Sequence, residues 1–359
     1  MALKQLCTMS LGCDPEFFIT REGQVIGSEK VLNEKPLVLN NSKVVMDGVQ
    51  VELNPPPNTC RANLINAIKS AMIVLNDHLK KTGCSASFET SITLSKKELE
   101  SLSAASRRFG CEPSFSTDPK AKSVGLVKNQ ENIKSRCAGG HIHFGTYHAY
   151  KMGKDYGPIA YDPSVIVLLD VLLGNTCVLL DRDEGNKKRR KTYGRAGEYR
   201  LPPHGIEYRT LSNFWLRSIP LTSLVFGLAR QVVSIWLNDR MFGTNHANEI
   251  VAMVDLKKVQ KAINSNNLNL AWENWNKVKD KFFNLFPTSG GDYQGNSEMP
   301  LSKERENEFY FLIKEGIDKF WPKDRDIIGE WVKAPEAHEI GWKPFCEGEL
   351  RTAMNAEKK

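Results

Sequence analysis

The stretch AGGHIHFG, residues 138–145, decides the fold. His141 and His143 alternate with Ile142 and Phe144, the period-of-two pattern of a strand with polar side chains on one face and apolar ones on the other. Three further segments carry the same pattern: GCDPEFFI (12–19) with Asp14 and Glu16, DGVQVELNPPP (47–57) with Glu52 and Asn54, and GIEYRTLSNFW (205–215) with Glu207 and Arg209. Phe17, Val51, Leu53, Ile142, Phe144, Ile206 and Tyr208 take the opposite face. Four such strands make one sheet with an apolar and a charged side. A solvated face would favour Lys, Thr, Ser and Glu without selecting His, Asn and carboxylates at repeated i, i+2 spacing, so the choice points to a ligand site.

The bulk properties set the frame. With 359 residues and 41% hydrophobic content, the chain can bury a sizeable core. The N-terminus, MALKQLCTMSLGC, lacks the pattern of a secretory signal, and no apolar run reads as a membrane span of ~20 residues. The eight cysteines are scattered without a CxxC, which fits reduced, mostly buried thiols. Cys111 and Cys137 lack a partner base nearby in sequence and read as buried or pocket-wall thiols rather than nucleophiles. These features predict a soluble, cytoplasmic protein with no membrane partner.

The net charge of +7 is uneven: residues 182–200 hold eight Lys/Arg against three Asp/Glu. A basic loop just before Glu207 and Arg209 suits a polyphosphate with its metals, and it marks Arg195, Arg200 and Lys191 as candidates. The other reading of Lys187–Lys191 is a solvated surface or nucleic-acid patch. Nucleic acid is the less favoured partner because the positive charge is local.

Strands and turns fill residues 10–58. Pro55, Pro56 and Pro57 end the last of these strands, since proline cannot donate to a ladder. A helix is predicted from Thr59, as N-cap, to Lys81, stopped by Gly83. A strand over Ser87–Leu94 follows, then a helix over Lys96–Arg107 with a Ser95/Glu98 capping box. Pro163–Leu180 and Ile219–Leu237 read as buried helices behind the sheet. Beyond Asn245 come polar amphipathic helices over Leu256–Ile263, Leu268–Leu285 and Lys303–Phe320. The predicted organisation is a catalytic domain over 1–245 and an accessory helical region over 246–359.

Asp14, Glu16, Glu52 and Glu207 with His141 form an oxygen-rich set plus one imidazole, which suits Mg²⁺ or Mn²⁺ better than zinc. Carboxylates crowded on one face repel unless cations sit between them, so two or more ions are expected. Such ions with Arg209, Arg195 and Arg200 would stabilise a phosphoryl group in transfer. No Walker motif, kinase glycine loop or GxGxxG is present, so ATP would have to rest on the sheet face itself.

DPEFFI is similar to the first catalytic strand of glutamine synthetases, which reads EPEFF; GGHIHFG resembles their G-x-H-x-H strand, and IEYRTLSN their IE-x-R segment, in the same order. Over Leu11–Arg240 the chain resembles the glutamine synthetase and glutamate-cysteine ligase superfamily, and within it the phage-associated carboxylate-amine ligase type 2 group. The resemblance implies an α+β fold: a glutamine synthetase-like domain whose mostly antiparallel, curved sheet carries the site on one face and helices on the other. It also implies ATP, amide formation from a carboxylate and an amine through an acyl phosphate, and host cytoplasm if phage-encoded. Glu16 and Glu52 would hold one metal, and Asp14, His141 and Glu207 the second. His143 would lie near the nucleotide phosphates, with Arg209 at the γ-phosphoryl group; Arg200 and Lys191, marked by the basic stretch, are the further candidates for nucleotide contact. Asp14 departs from the family glutamate, and Asp47 is the one upstream candidate for the second strand's missing carboxylate. No acid equivalent to the family's ammonia-site residue is found, which implies a larger amine.

Three other functions use parts of the same pattern. A guanidino-kinase-like phosphotransferase would leave a phosphoramidate, an HxH metalloenzyme would bind Fe or Zn without nucleotide, and a non-catalytic phage protein would bind without turnover. Each pair alone is ordinary; their joint order carries the ligase reading.

Overall fold

Pro15 divides the first pair of candidates between two sheets. The computed structural model describes residues 9–32, 35–108, 114–118, 132–145, 147–151, 154–287 and 301–337. Its strands are β1 (Leu11–Cys13), β2 (Glu16–Arg21), β3 (Gln24–Ile26), β4 (Leu37–Leu39), β5 (Ser42–Asp47), β6 (Gln50–Asn54), β7 (Ser85–Ser87) and β8 (Ser91–Thr93). They continue as β9 (Phe115–Ser116), β10 (Ser135–Cys137), β11 (Ile142–Gly145), β12 (Tyr147–Lys151), β13 (Lys154–Ile159), β14 (Glu198–Arg200) and β15 (Gly205–Tyr208). One sheet runs β1-β11-β15-β14-β9 and a second β3-β2-β6-β5-β4, with β7 also on β2; the pairings are antiparallel.

The single sheet expected from the four segments is therefore two sheets. Proline has no N–H to continue a ladder. The chain leaves the first sheet after Cys13 and enters the second at Glu16, whose N–H donates to Gly139 O at 2.9 Å. Pro15 O accepts from Leu53 N at 3.0 Å, so the break is tied to both sheets.

The apolar half of the alternation closes the core. Phe17, Val51, Leu53, Ile142, Phe144, Ile206 and Tyr208 are all fully buried. Full burial of such side chains contributes roughly 1.5–3 kcal/mol each. They join one continuous cluster with the helices Arg61–Thr82, Ser164–Leu180 and Ile219–Phe242. Ile219–Phe242 is long and apolar enough to cross a membrane, contrary to the sequence expectation, but 89% of its apolar window is buried within the protein. The Ser164–Leu180 helix contains a π-helical turn at Asp170–Gly174, where Asp170 Oδ1 accepts from Tyr208 Oη at 2.8 Å.

Helix ends follow local hydrogen bonding. The Arg61–Thr82 helix begins at Arg61 rather than after Thr59: Leu11 and Asn58 form a bridge that keeps the chain extended, and Asn58 Oδ1 accepts from Cys60 N at 2.9 Å. Gly83 closes it in the left-handed region, at φ 62°. The Ser95/Glu98 capping box is present, but that helix stops at Ser101, and Ser103 caps a second turn, Ala104–Arg107. Ser87–Leu94 is two short strands because β7 pairs with β2 and β8 with β10.

The helices after residue 245 share the main core. Trp331 Nε1 donates to Leu216 O at 2.6 Å, and Asn274 Nδ2 to Asn175 Oδ1 at 3.0 Å. Cys111 and the segment 288–300 lie outside the described residues.

Candidate active site

The first sheet gathers one charged group. Register places His143 between Gly12 and Glu207, and Glu207 opposite Arg200. Asp14, just past β1, sits 3.1 Å from His141 Nδ1 and 3.2 Å from His143 Nε2, each through a different carboxylate oxygen. Glu207 lies 3.3 Å from His141 Nδ1. Its other oxygen accepts from Arg200 Nε at 2.6 Å, while Arg209 Nε is 3.1 Å from the first. Arg209 is buried and donates through Nη1 to Ser114 Oγ at 2.7 Å. Although burial opposes it, the two imidazoles hold Asp14 well below the usual carboxylate range. Burial lowers His141; for His143 the Asp14 charge outweighs burial and raises it.

The glycines of AGGHIHFG make room for this group. A Cβ on Gly139 would come within 2.5 Å of His141 Nε2 and 3.0 Å of Tyr193 Oη. On Gly140 it would meet Ser212 O at 2.3 Å and Trp215 Nε1 at 2.6 Å. Trp215 is core, as expected, and donates to Gly140 O.

The second sheet gathers the other group. Glu16 stands opposite Glu52 across β2 and β6, and Asp47 closes the β5–β6 hairpin opposite Gln50. Glu16, Asp47 and Glu52 each offer an oxygen within 4.8 Å of the others; Asp14, His143 and Glu207 form a matching triplet of ligand atoms. Glu16 Oε2 accepts from Gln50 Nε2 at 2.7 Å, Gly139 N at 2.8 Å and Tyr193 Oη at 2.9 Å. Burial, followed by neighbouring carboxylates, pushes Glu16 up to about 8 and Glu52 up to about 9. Burial, followed by Asp14, raises Asp47 to about 6.

Both triplets fit divalent cations. Asp14 Oδ1, both His141 ring nitrogens, His143 Nε2 and Glu207 Oε1 are buried, and among the described residues they meet only one another and Arg209, in ion-pair contacts rather than well-formed hydrogen bonds. A poorly satisfied buried polar atom costs up to about 1–3 kcal/mol, and a cluster of them on one face is what a shared cation would satisfy. An oxygen-rich set with imidazoles matches Mg²⁺ or Mn²⁺. The second triplet is all oxygen, and its raised carboxylates have the mutual repulsion that a cation would relieve.

The expected residues do not all converge. Asp14, Glu16, Glu52, His141, His143, Arg200, Glu207 and Arg209 come together along the seam of the two sheets. Arg195 and Lys191 do not. The basic stretch is a helix, Gly185–Thr192, rather than a loop, with Arg189 and Arg190 buried and Lys191 exposed. Arg195 turns back on that helix, donating to Arg190 O and Lys191 O at 2.9 Å each. Cys137 is buried, its thiol raised chiefly by burial.

Asp47, Gln50, Tyr193, Arg189 and His204 escaped the reading of the residues as site groups, Asp47 entering only through the resemblance. The Asp-Gly pair at 47–48 is a hairpin signal that puts residues 47, 50 and 52 on one face. Tyr193 and Arg189 carry no comparable local signal. His204, in an exposed turn, brings Nε2 within 3.1 Å of His143 Nδ1.

Residues 117–280 match the family model described as phage phiEco32-like COOH.NH2 ligase-type 2. No curated protein matches the chain. A solved structure titled as a novel glutamine synthase homolog is similar at 10% identity and a TM-score of 0.35, covering 78% of this chain and 66% of its own. The structure titled "Apo GmaS without ligand" is similar at 13% identity and 0.34, covering 77% and 67%. A bifunctional glutathione synthetase from Pasteurella multocida follows at 10% and 0.32, covering 98% and 49%. The chain thus spans about two thirds of the first two and about half of the third. The matched residues 117–280 carry His141, His143, Glu207 and Arg209, so this part of the chain is similar to the phage phiEco32-like COOH.NH2 ligase-type 2 family.

Proposed function

We propose that this chain is an ATP-dependent carboxylate-amine ligase that makes an amide bond through an acyl phosphate. The observation that carries the reading is the pair of cation-competent triplets, Asp14/His143/Glu207 and Glu16/Asp47/Glu52, with Arg200 and Arg209 anchored on Glu207 beside the first.

In the first step a substrate carboxylate oxygen attacks the γ-phosphorus and the bond to ADP breaks. In the second the amine nitrogen attacks the acyl carbon, phosphate leaves, and the nitrogen loses a proton. No side-chain nucleophile is needed. Bound Mg²⁺ or Mn²⁺ would hold phosphate oxygens and offset the charge that develops during transfer. Asp14, His143 and Glu207 would hold one ion, with His141 packed against both carboxylates beside it, and Glu16, Glu52 and Asp47 the other. Arg209, already fixed by Glu207 and Ser114, would meet the transferred phosphoryl group without having to reorganise. Arg200, half-buried at the rim, would meet the nucleotide phosphates. We read residues 246–359 as an accessory helical region and small carboxylate- and amine-bearing molecules or peptides as the substrates.

The test combines thermal shift with ATP and Mg²⁺ and ADP release against pooled amino acids, polyamines and peptides, with hydroxylamine added to trap an acyl phosphate as a hydroxamate. A nucleotide-dependent shift and a hydroxamate that both disappear in Glu207→Gln support the ligase. A stable N-phosphorylated product without amide would replace it with a phosphotransferase. Tight iron or zinc binding with no response to nucleotide would replace it with a metalloenzyme.

A further inference from the structure

Glu16 Oε2 takes three donors from three separate segments: the Gln50 side chain on β6, the Gly139 amide before β11, and the Tyr193 hydroxyl after the basic helix. One carboxylate oxygen has about two lone-pair sites, so three donors crowd Oε2 and leave it no room for another partner. We infer that Tyr193 is a positioning residue for Glu16: with Gln50 and Gly139 it occupies Oε2, fixes the carboxylate plane, and directs Oε1 to the cation shared with Asp47 and Glu52. This rests on the reading of Glu16, Asp47 and Glu52 as a cation site.

Tyr193 is itself held. Arg189 places its guanidinium 4.5 Å from the ring centroid, and the Arg209 guanidinium lies 5.7 Å from it. Arg189 also donates to Thr210 O and Arg209 O, both at 2.9 Å. One arginine therefore clamps the backbone of the phosphoryl-facing Arg209 and the ring whose hydroxyl orients Glu16. Gly194, at φ 74°, lets the chain turn directly after Tyr193, and a Cβ there would meet Arg189 Nη1 at 2.1 Å. A partner that orients a metal ligand without touching the ion typically changes affinity by about 10- to 100-fold.

The experiment is a Mn²⁺ titration of the full chain followed by electron paramagnetic resonance of the unbound ion, with no substrate present. Wild type is compared with Glu16→Gln, Tyr193→Phe, Gln50→Ala and Tyr161→Phe. Tyr161 supplies a control hydroxyl, which donates to Gly145 O at 3.1 Å at the end of β11, in the sheet that does not carry Glu16. The expected result is that Tyr193→Phe weakens, by about 10-fold or more, only the class of Mn²⁺ that Glu16→Gln removes. Gln50→Ala weakens the same class and keeps the test open should the tyrosine variant misfold; Tyr161→Phe matches wild type. Wild-type affinity in both Tyr193→Phe and Gln50→Ala, with Glu16→Gln still losing a site, overturns the positioning role and leaves the cation site standing. Absence of Mn²⁺ binding in wild type overturns both.

Discussion

Glu16 and Glu52 stand directly opposite each other across the antiparallel β2–β6 pair, with Asp47 completing the triplet from the neighbouring strand. Like charges directly opposite destabilise a sheet, and this pair lies in its interior. The raised carboxylates give the sign of a pH effect. A folded pKa above the unfolded one means that the folded chain holds protons the unfolded chain has released. That stabilisation is complete below the ordinary values of 4.5 for Glu and 3.8 for Asp. It is lost as pH rises through about 6 for Asp47, about 8 for Glu16 and about 9 for Glu52. The melting temperature of chelator-treated protein should fall between about pH 5 and about pH 9, and saturating Mg²⁺ should flatten the fall. Equal slopes with and without the ion, measured by scanning calorimetry, would remove the cation from this triplet.

Glu207 holds both arginines of the site. Glu207→Gln keeps the shape but leaves Arg200 and Arg209 without their carboxylate partner, and it removes a ligand from the first triplet. Turnover should drop by about 10²-fold or more, as for the loss of one group that stabilises developing charge. Steady-state ADP release checks this, and a loss below about threefold would argue against the assignment.

Arg200 and Arg195 separate the site from its surroundings. Arg200→Ala should reduce turnover strongly through lost contact with Glu207 and the phosphates. Arg195→Ala should instead loosen the C-terminus of the Gly185–Thr192 helix, where its guanidinium meets the last carbonyls, costing about 0.3–1 kcal/mol of stability with little change in turnover. Urea unfolding and ADP release on the same two variants read both quantities.

What the sequence made legible was local. Alternation in HIHF, VEL and IEY assigned the buried and site-facing side chains of β6, β11 and β15, because a two-residue period survives whatever the strand packs against. The same rule misled at DPE, where the proline between Asp14 and Glu16 ends one ladder and begins another. The basic stretch was misread for a different reason. Arg189 and Arg190 are buried because carbonyls at Arg209, Thr210 and Ile263 receive them, partners that no window around residue 189 contains. Tyr193 lies 177 residues from the carboxylate it serves.

Tyr208 ties the site strand to the helix behind it. Its hydroxyl meets Asp170 at the π-helical turn, where a Cβ on Gly174 would come within 2.4 Å of it. Tyr208→Phe leaves the buried Asp170 without that donor, at a cost of about 1–3 kcal/mol in urea unfolding. Gly174→Ala should destabilise too, by forcing the tyrosine away. A neutral result for both would mean that the π turn does not hold β15.

The break at Pro15 has a metrical consequence. Asp14 serves one triplet and Glu16 the other, and two residues of extended chain span at most about 7 Å. The backbone positions from which the two triplets take Asp14 and Glu16 are therefore fixed by covalent bonds as well as by packing. A substrate that bridged the two centres would be measured against a ruler one proline long.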